Sequence, residues 1–370
     1  MKLKTIALHL SLFIVTLATT TYVGATYQLG EATEEFTLAH FWAGLYYSVP
    51  FLAILTAHEF GHYFTAKYYK LKTTLPYYIP FPSLIGTMGA VINIKSPFKS
   101  RKQFFDVGIA GPLAGFVVAF FLLWYGFANL PEPEHIFSLH PSYEQYGLGY
   151  ADVVYDSLAK ANPEAEQIKM GTNLLFEFFK ATVVDDVRKI PNPYEMMHYP
   201  FLLAGFFACF FTALNLIPIG QLDGGHILYG LIGSKNFNKV APIFFIILVG
   251  VGGIGLFSLY DETEYLITRI PLYILFLYLI MERWLSENKI TIALVAVSIF
   301  LFQFLLKSFV PEVQGFYGWL VYGALLGRVV GVKHPAAQSD EPLSLGRKVL
   351  GWIAFIVFII CFSLNPLEIA

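Results

Sequence analysis

Residues 46–64 read YYSVPFLAILTAHEFGHYF, and the pentapeptide His58-Glu59-Phe60-Gly61-His62 near the end is chemically out of place there. The apolar stretch from Phe41 to Phe64 is long enough to cross a bilayer, which takes about 20 residues of helix. On a helix the two histidines fall at i and i+4 of one face, so both imidazoles can reach one metal ion. Glu59 points close to the same ion, where a carboxylate can take a proton from an attacking water. Ionisable groups at bilayer depth are costly and mark function. The combination points to hydrolysis inside a membrane; the competing reading is a pair of packing histidines in a buried helix. A third ligand would decide between them, because catalytic zinc ordinarily has three protein ligands and one open position.

The rest of the chain agrees with a membrane setting. Of 370 residues, 56% are hydrophobic and 14% charged, against a soluble norm of roughly 25% charged. Mean hydropathy is +0.60. The two cysteines, Cys209 and Cys361, both fall in apolar runs, so neither a disulfide framework nor a Cys/His zinc finger is expected. No signal for nucleic acid is present. The start, with its basic residues and the apolar run Ile6 to Ala25, reads as an uncleaved first helix, the run being long for a secretory signal.

Apolar runs predict about nine transmembrane helices, at 6–26, 41–64, 105–128, 200–218, 240–258, 270–284, 290–307, 315–332 and 349–364. A further short helix is expected at 223–233. Between Glu59 and Asp106 lie seven basic residues and no acidic ones, whereas 129–199 carries eleven acidic and five basic, a balance of −6. The positive-inside rule therefore puts 65–103 in the cytoplasm and 129–199 outside, with a cytoplasmic N-terminus. Alternation then places the acidic segments 28–35 and 261–264 outside, and the metal motif towards the cytoplasmic half of its helix. Residues 75–94 are apolar but interrupted by Pro76, Pro80, Pro82, Gly86 and Gly89. A re-entrant segment or β-hairpin fits, tolerated at membrane depth only where protein or water satisfies its backbone. The fold class expected is thus an all-α polytopic membrane protein with one such segment.

The second polar island is 205–229, GFFACFFTALNLIPIGQLDGGHILY. Asp223 follows a break made by Pro218 and Gly220, where it either caps the next helix or supplies a missing metal ligand. Asn215 lies within the apolar span, an amide suited to holding backbone or substrate groups. Charge counting alone puts Asp223 and His62 at the same side of the membrane.

Taken together, His58-Glu59-Phe60-Gly61-His62 and Asn215-Leu216-Ile217-Pro218 with Leu222-Asp223-Gly224 resemble the site-2 protease family of intramembrane zinc metalloproteases. Both halves of its signature, H-E-x-x-H and N-x-x-P-x-x-x-L-D-G, match position for position. Gly108-Ile109-Ala110-Gly111-Pro112-Leu113-Ala114-Gly115 resembles a glycine-proline motif common in that family. The resemblance covers roughly 50–235. It implies one Zn²⁺ held by His58, His62 and Asp223, Glu59 as general base, and Asn215 as substrate-binding residue. It also implies transmembrane protein substrates that unwind locally before cleavage. The segment 129–199 is short for the PDZ domain of many bacterial relatives, and the G-Q-L-D-G-G form at 220–225 is similar to the PDZ-free branch that includes plant chloroplast homologues.

By chain order we expect an N-terminal helix and loop (1–40), a protease core (41–235, with the external insert 129–199) and a C-terminal set of helices (236–370). The setting expected is the lipid bilayer, as a multi-pass protein of a bacterial inner membrane; oligomeric state is not legible. Two rivals stand beside the protease. A non-proteolytic metal-binding scaffold or chaperone of the same fold would not need Glu59. A transporter using intramembrane His and Asp predicts internal repeats, and none is found. Gly111 and Gly115, spaced G-x-x-x-G, predict a close helix approach. His226 is read as either an orienting partner of Asp223 or a packing residue, and His334 as a surface loop residue. His9, His40, His135, His140 and His198 receive no role.

Overall fold

The computed structural model describes residues 3–28, 37–161 and 168–369, so most of the acidic segment 28–35 lies outside the described residues. The chain is mostly helical. In order it runs α1 (Leu3–Thr26), α2 (Leu38–Tyr68), β1 (Tyr77–Pro80), β2 (Thr87–Val91) and α3 (Arg101–Ala128). The insert holds α4 (His135–Leu139), α5 (Tyr150–Ala161), β3 (Ile168–Met170) and α6 (Leu174–Thr182). Then come α7 (Pro200–Leu216), α8 (Asp223–Gly252), α9 (Thr263–Met281), α10 (Lys289–Phe309), α11 (Gly318–Leu325), α12 (Leu345–Cys361) and β4 (Leu367–Ile369).

Each of the nine apolar runs overlaps a helix. Among the described residues, six helices (α1, α2, α3, α8, α9 and α10) are long and apolar enough to cross a membrane, which makes this a multi-pass membrane protein. The other three are shorter: α7 and α12 have 17 residues each. At 1.5 Å per residue that is about 25 Å, short of a hydrocarbon core of about 30 Å. The short helix expected at 223–233 is the first part of α8, which bends at Gly233 (φ 76°) and continues to Gly252. A left-handed residue inside a helix suits glycine alone, which marks the bend.

The described residues form two compact units, interleaved along the chain: Met1–Pro97, Ala110–Leu214 and Ile356–Ala370 in one, Phe98–Ile109 and Asn215–Phe355 in the other. In the first unit the interrupted segment is an antiparallel hairpin, with Tyr77 opposite Val91 and Tyr78 opposite Ala90. Several of its backbone carbonyls are satisfied by side chains of α1 and α2. His9 Nδ1 lies 2.9 Å from the Pro76 carbonyl oxygen, and the Thr19 hydroxyl donates to the Gly86 carbonyl at 2.7 Å. The Tyr47 hydroxyl donates to the Ile85 carbonyl at 3.0 Å. Gly86 has φ 84°, and a Cβ there would lie 2.7 Å from Thr20 Cα, so the turn requires glycine twice over. The insert folds as short helices, and β3 pairs antiparallel with β4 near the chain end.

In the second unit, Arg101 is buried and its Nε donates to the Gly230 carbonyl at 2.8 Å. One of the seven basic residues behind the orientation argument is therefore also structural. Arg347 clamps Asp106 through Nε and Nη2 at 2.7 and 2.9 Å, a two-pronged geometry that fixes both position and angle. Buried Gln303 donates to the carbonyls of Val249 and Gly250 at 2.9 and 3.0 Å and accepts from the Tyr273 hydroxyl at 2.9 Å, joining α8, α9 and α10. A buried amide with its donors and acceptor occupied specifies one packing of the three helices.

Candidate metal centre

The motif helix α2 starts at Thr37, whose hydroxyl accepts from the His40 amide while the Thr37 amide donates to the His40 ring, closing a capping box. His58, Glu59 and His62 lie about six to seven turns later, and all three are buried. The two ring Nε2 atoms stand 3.0 Å apart. Two ligands about 2.0–2.1 Å from a tetrahedral ion are about 3.3 Å apart, so the pair fits one ion with minimal adjustment.

Helix α3 shapes this face with glycines. A Cβ on Gly111 would sit 2.1 Å from His62 Nε2, and one on Gly115 would sit 3.2 Å from His58 Cβ. On the facing side, a Cβ on Gly61 would sit 2.5 Å from the Ala110 carbonyl oxygen. The G-x-x-x-G spacing therefore brings α3 against the two histidines themselves, and α2 answers with its own glycine. With the backbones locked at Gly61, an added methyl at Gly111 can be accommodated only by moving the His62 ring. Gly111→Ala is expected to weaken metal retention by about 10–100-fold, the scale for disturbing a ligand's orientation. Metal analysis of the purified variant against wild type reads this directly; equal retention would mean the ring has room to retreat.

The hairpin lies beside the same helix. Buried Tyr78 on β1 shares a 2.7 Å hydrogen bond with Thr56, two residues before His58.

In the second unit, Asn215 is the penultimate residue of α7, and Asp223 is the first residue of α8. The N-cap position is held by Leu222, and the charge of Asp223 suits the first turn. The connection is tight. Gly220 takes φ 58° and its amide donates to the Val332 carbonyl at 3.0 Å. A Cβ on Gly224 would sit 2.0 Å from the Leu216 carbonyl oxygen, which explains why glycine follows the aspartate. His226 Nδ1 lies 2.7 Å from His334 Nε2, and His334 stacks on Tyr229 with ring centroids 4.1 Å apart. The surface expectation for His334 is thereby corrected. Stacking on Tyr229 and the bond to His226 leave it only 4% exposed. Its distance in sequence from residue 226 hid this.

Peptidase family M50 matches residues 46–259, well over half the chain and both motif regions. The chain belongs to peptidase family M50. Among curated relatives, this M50 chain is 31% identical over 189 residues to the probable zinc metalloprotease EGY1, chloroplastic, of Oryza sativa subsp. japonica, covering 50% of this chain and 27% of that protein. It is 27% identical over 224 residues to the probable zinc metalloprotease EGY2, chloroplastic, of Oryza sativa subsp. indica, covering 60% and 34%. It is 26% identical over 190 residues to the Arabidopsis thaliana EGY1, covering 50% and 29%. The matches thus span about a third or less of these relatives' length. No solved structure matches the chain.

Proposed function

We propose that the chain is an intramembrane zinc metalloprotease that hydrolyses peptide bonds within or near transmembrane segments of other membrane proteins. The observation that carries this reading is the buried pair His58 and His62, with Nε2 atoms 3.0 Å apart and Glu59 buried between them on an apolar helix. Family membership and the relatives' names support zinc as the metal. In the proposed site, His58, His62 and Asp223 hold the ion, the last supported by the L-D-G motif at the start of α8. Zinc supplies Lewis acidity, lowering the pKa of water and polarising a carbonyl.

The chain's own residues do the rest. Glu59 accepts the proton of the attacking water and returns it to the leaving amide nitrogen. Asn215 donates its amide to the substrate backbone near the scissile bond. The core spans 41–235 in this reading, with 1–40 and 236–370 as flanking segments, and nine helices cross the bilayer. The charge asymmetry supports a cytoplasmic N-terminus and an external insert. The bacterial inner membrane expected from sequence has no support from these relatives, which are chloroplast proteins.

A helical peptide bond is shielded, so a substrate must be held extended. The hairpin β1–β2, tied to α2 through Tyr78, supports strand addition as the mode of presentation. Proline at Val91 or Ile92 removes an N–H and distorts the extended path. Cleavage should then fall sharply while zinc content stays near wild type, with alanine milder at both positions. Normal cleavage by both proline variants would make the hairpin a structural plug.

The whole reading is tested by co-expression with single-span membrane proteins, comparing wild type with Glu59→Gln. A fragment produced only by wild type supports the protease. Identical patterns across a broad substrate set would leave the metal-binding scaffold as the better description.

A further inference from the structure

A second cluster of metal-ligating side chains lies in the insert and the segment that leads into α7. His140 follows α4, and Glu195 and His198 flank and end a short 3₁₀ turn, Met196–His198. His140 Nε2 and His198 Nε2 are 3.1 Å apart, and Glu195 Oε2 lies 3.5 Å from the first and 3.3 Å from the second. Three donors held about 2.0–2.1 Å from a tetrahedral ion would be about 3.3 Å from one another. All three edges of the triangle therefore match a single small ion. The side chains of Glu195 and His198 are 3% and 7% exposed, and that of His140 is 16%.

The groups around the triangle hold its donors in the form a metal takes. His198 Nδ1 lies 2.5 Å from the Tyr27 carbonyl oxygen, which can only accept, so Nδ1 carries the proton. In the neutral ring Nε2 then presents a lone pair, and it faces a carboxylate oxygen that also only accepts. Either a proton on Nε2 or a metal cation between them resolves that opposition, and three donors at these spacings suit the metal. The other carboxylate oxygen, Glu195 Oε1, accepts from the Tyr155 hydroxyl, which leaves Oε2 directed at the histidines. The Tyr143 ring stacks on His140 at 4.5 Å and 11°, fixing its plane. A carbonyl that accepts from a ligating imidazole and a hydroxyl that donates to a ligating carboxylate are the usual outer support of a metal site.

We infer that His140, Glu195 and His198 form a second site for a divalent transition-metal ion of the zinc class, separate from the His58–His62 centre. Its role is that of a clasp. His140 belongs to the start of the insert, Glu195 and His198 to the entry of α7, and His198 is bonded to the end of α1 through Tyr27. The Gln28 amide also donates to the His198 carbonyl at 3.1 Å. One ion would fasten two chain segments that sequence separates by 55 residues, with the end of α1 attached to them through His198.

The test is metal analysis of the full-length protein in detergent after exposure to Zn²⁺ alone. Wild type should hold two equivalents, His58→Ala/His62→Ala should hold one, and adding His140→Ala/His198→Ala should remove it. A folded, monodisperse His58→Ala/His62→Ala protein without zinc would overturn the inference. Because multiple substitutions can prevent folding, Co²⁺ titration of wild type against Tyr155→Phe provides a second reading. That variant keeps all three ligands and loses only the hydroxyl that orients Glu195, so one class of Co²⁺ sites should weaken by about 10–100-fold. Superimposable titrations would equally overturn the inference.

Discussion

Glu59→Gln should keep the fold and its metal while cleavage falls by about 10²–10⁴-fold, the contribution of a positioned general base. The substituted amide matches the carboxylate in shape but cannot accept a proton at neutral pH. Glu59 is buried in the middle of α2, where a change of volume would be felt, so an isosteric variant is the appropriate one. The two histidines, one residue before it and three after, are untouched, and metal content should match wild type. Cleavage at an undiminished rate would remove Glu59 from the mechanism. Loss of metal together with activity would instead make Glu59 a residue that organises the site.

Asp223→Ala is the second large effect expected. It should cost one equivalent of metal and lower cleavage to background, because two imidazoles alone make a poor zinc site. Asp223 is the first residue of α8, behind Leu222 at the N-cap, where its charge favours the first turn by about 0.3–1 kcal/mol. A thermal melt separates loss of metal from loss of fold. Asp223→Asn, which keeps the volume, should lose metal almost as completely. Full occupancy and activity in Asp223→Ala would assign the third ligand to another residue.

Much of this was legible because it is local. Apolar runs longer than a bilayer is thick announce a membrane protein whatever the packing, and each expected run does overlap a helix. The i, i+4 spacing brings His58 and His62 together on any helix, independent of the rest of the chain. Boundaries were less legible. A span was expected at 240–258, yet the part of α8 beyond the bend at Gly233 starts before Val240 and ends at Gly252. Lys235, Asn236, Asn238 and Lys239 lower the local hydropathy without breaking the helix, and hydropathy cannot distinguish a polar stretch of helix from a loop.

What the sequence by itself determined was the membrane class, the positions of the helices, the breaks at 75–94 and 218–220, and the residues capable of metal chemistry. Each depends on neighbours within a few turns. Only the tertiary structure decided that Gly111 rather than another glycine faces the His62 ring, and that the interrupted segment becomes a hairpin held by His9, Thr19, Tyr47 and Thr56. It alone decided that His334 is buried against Tyr229, and that His140 meets Glu195 and His198. Those pairings join residues separated by up to about a hundred positions. They exist only after chain closure has brought the helices together, and no local periodicity carries that information.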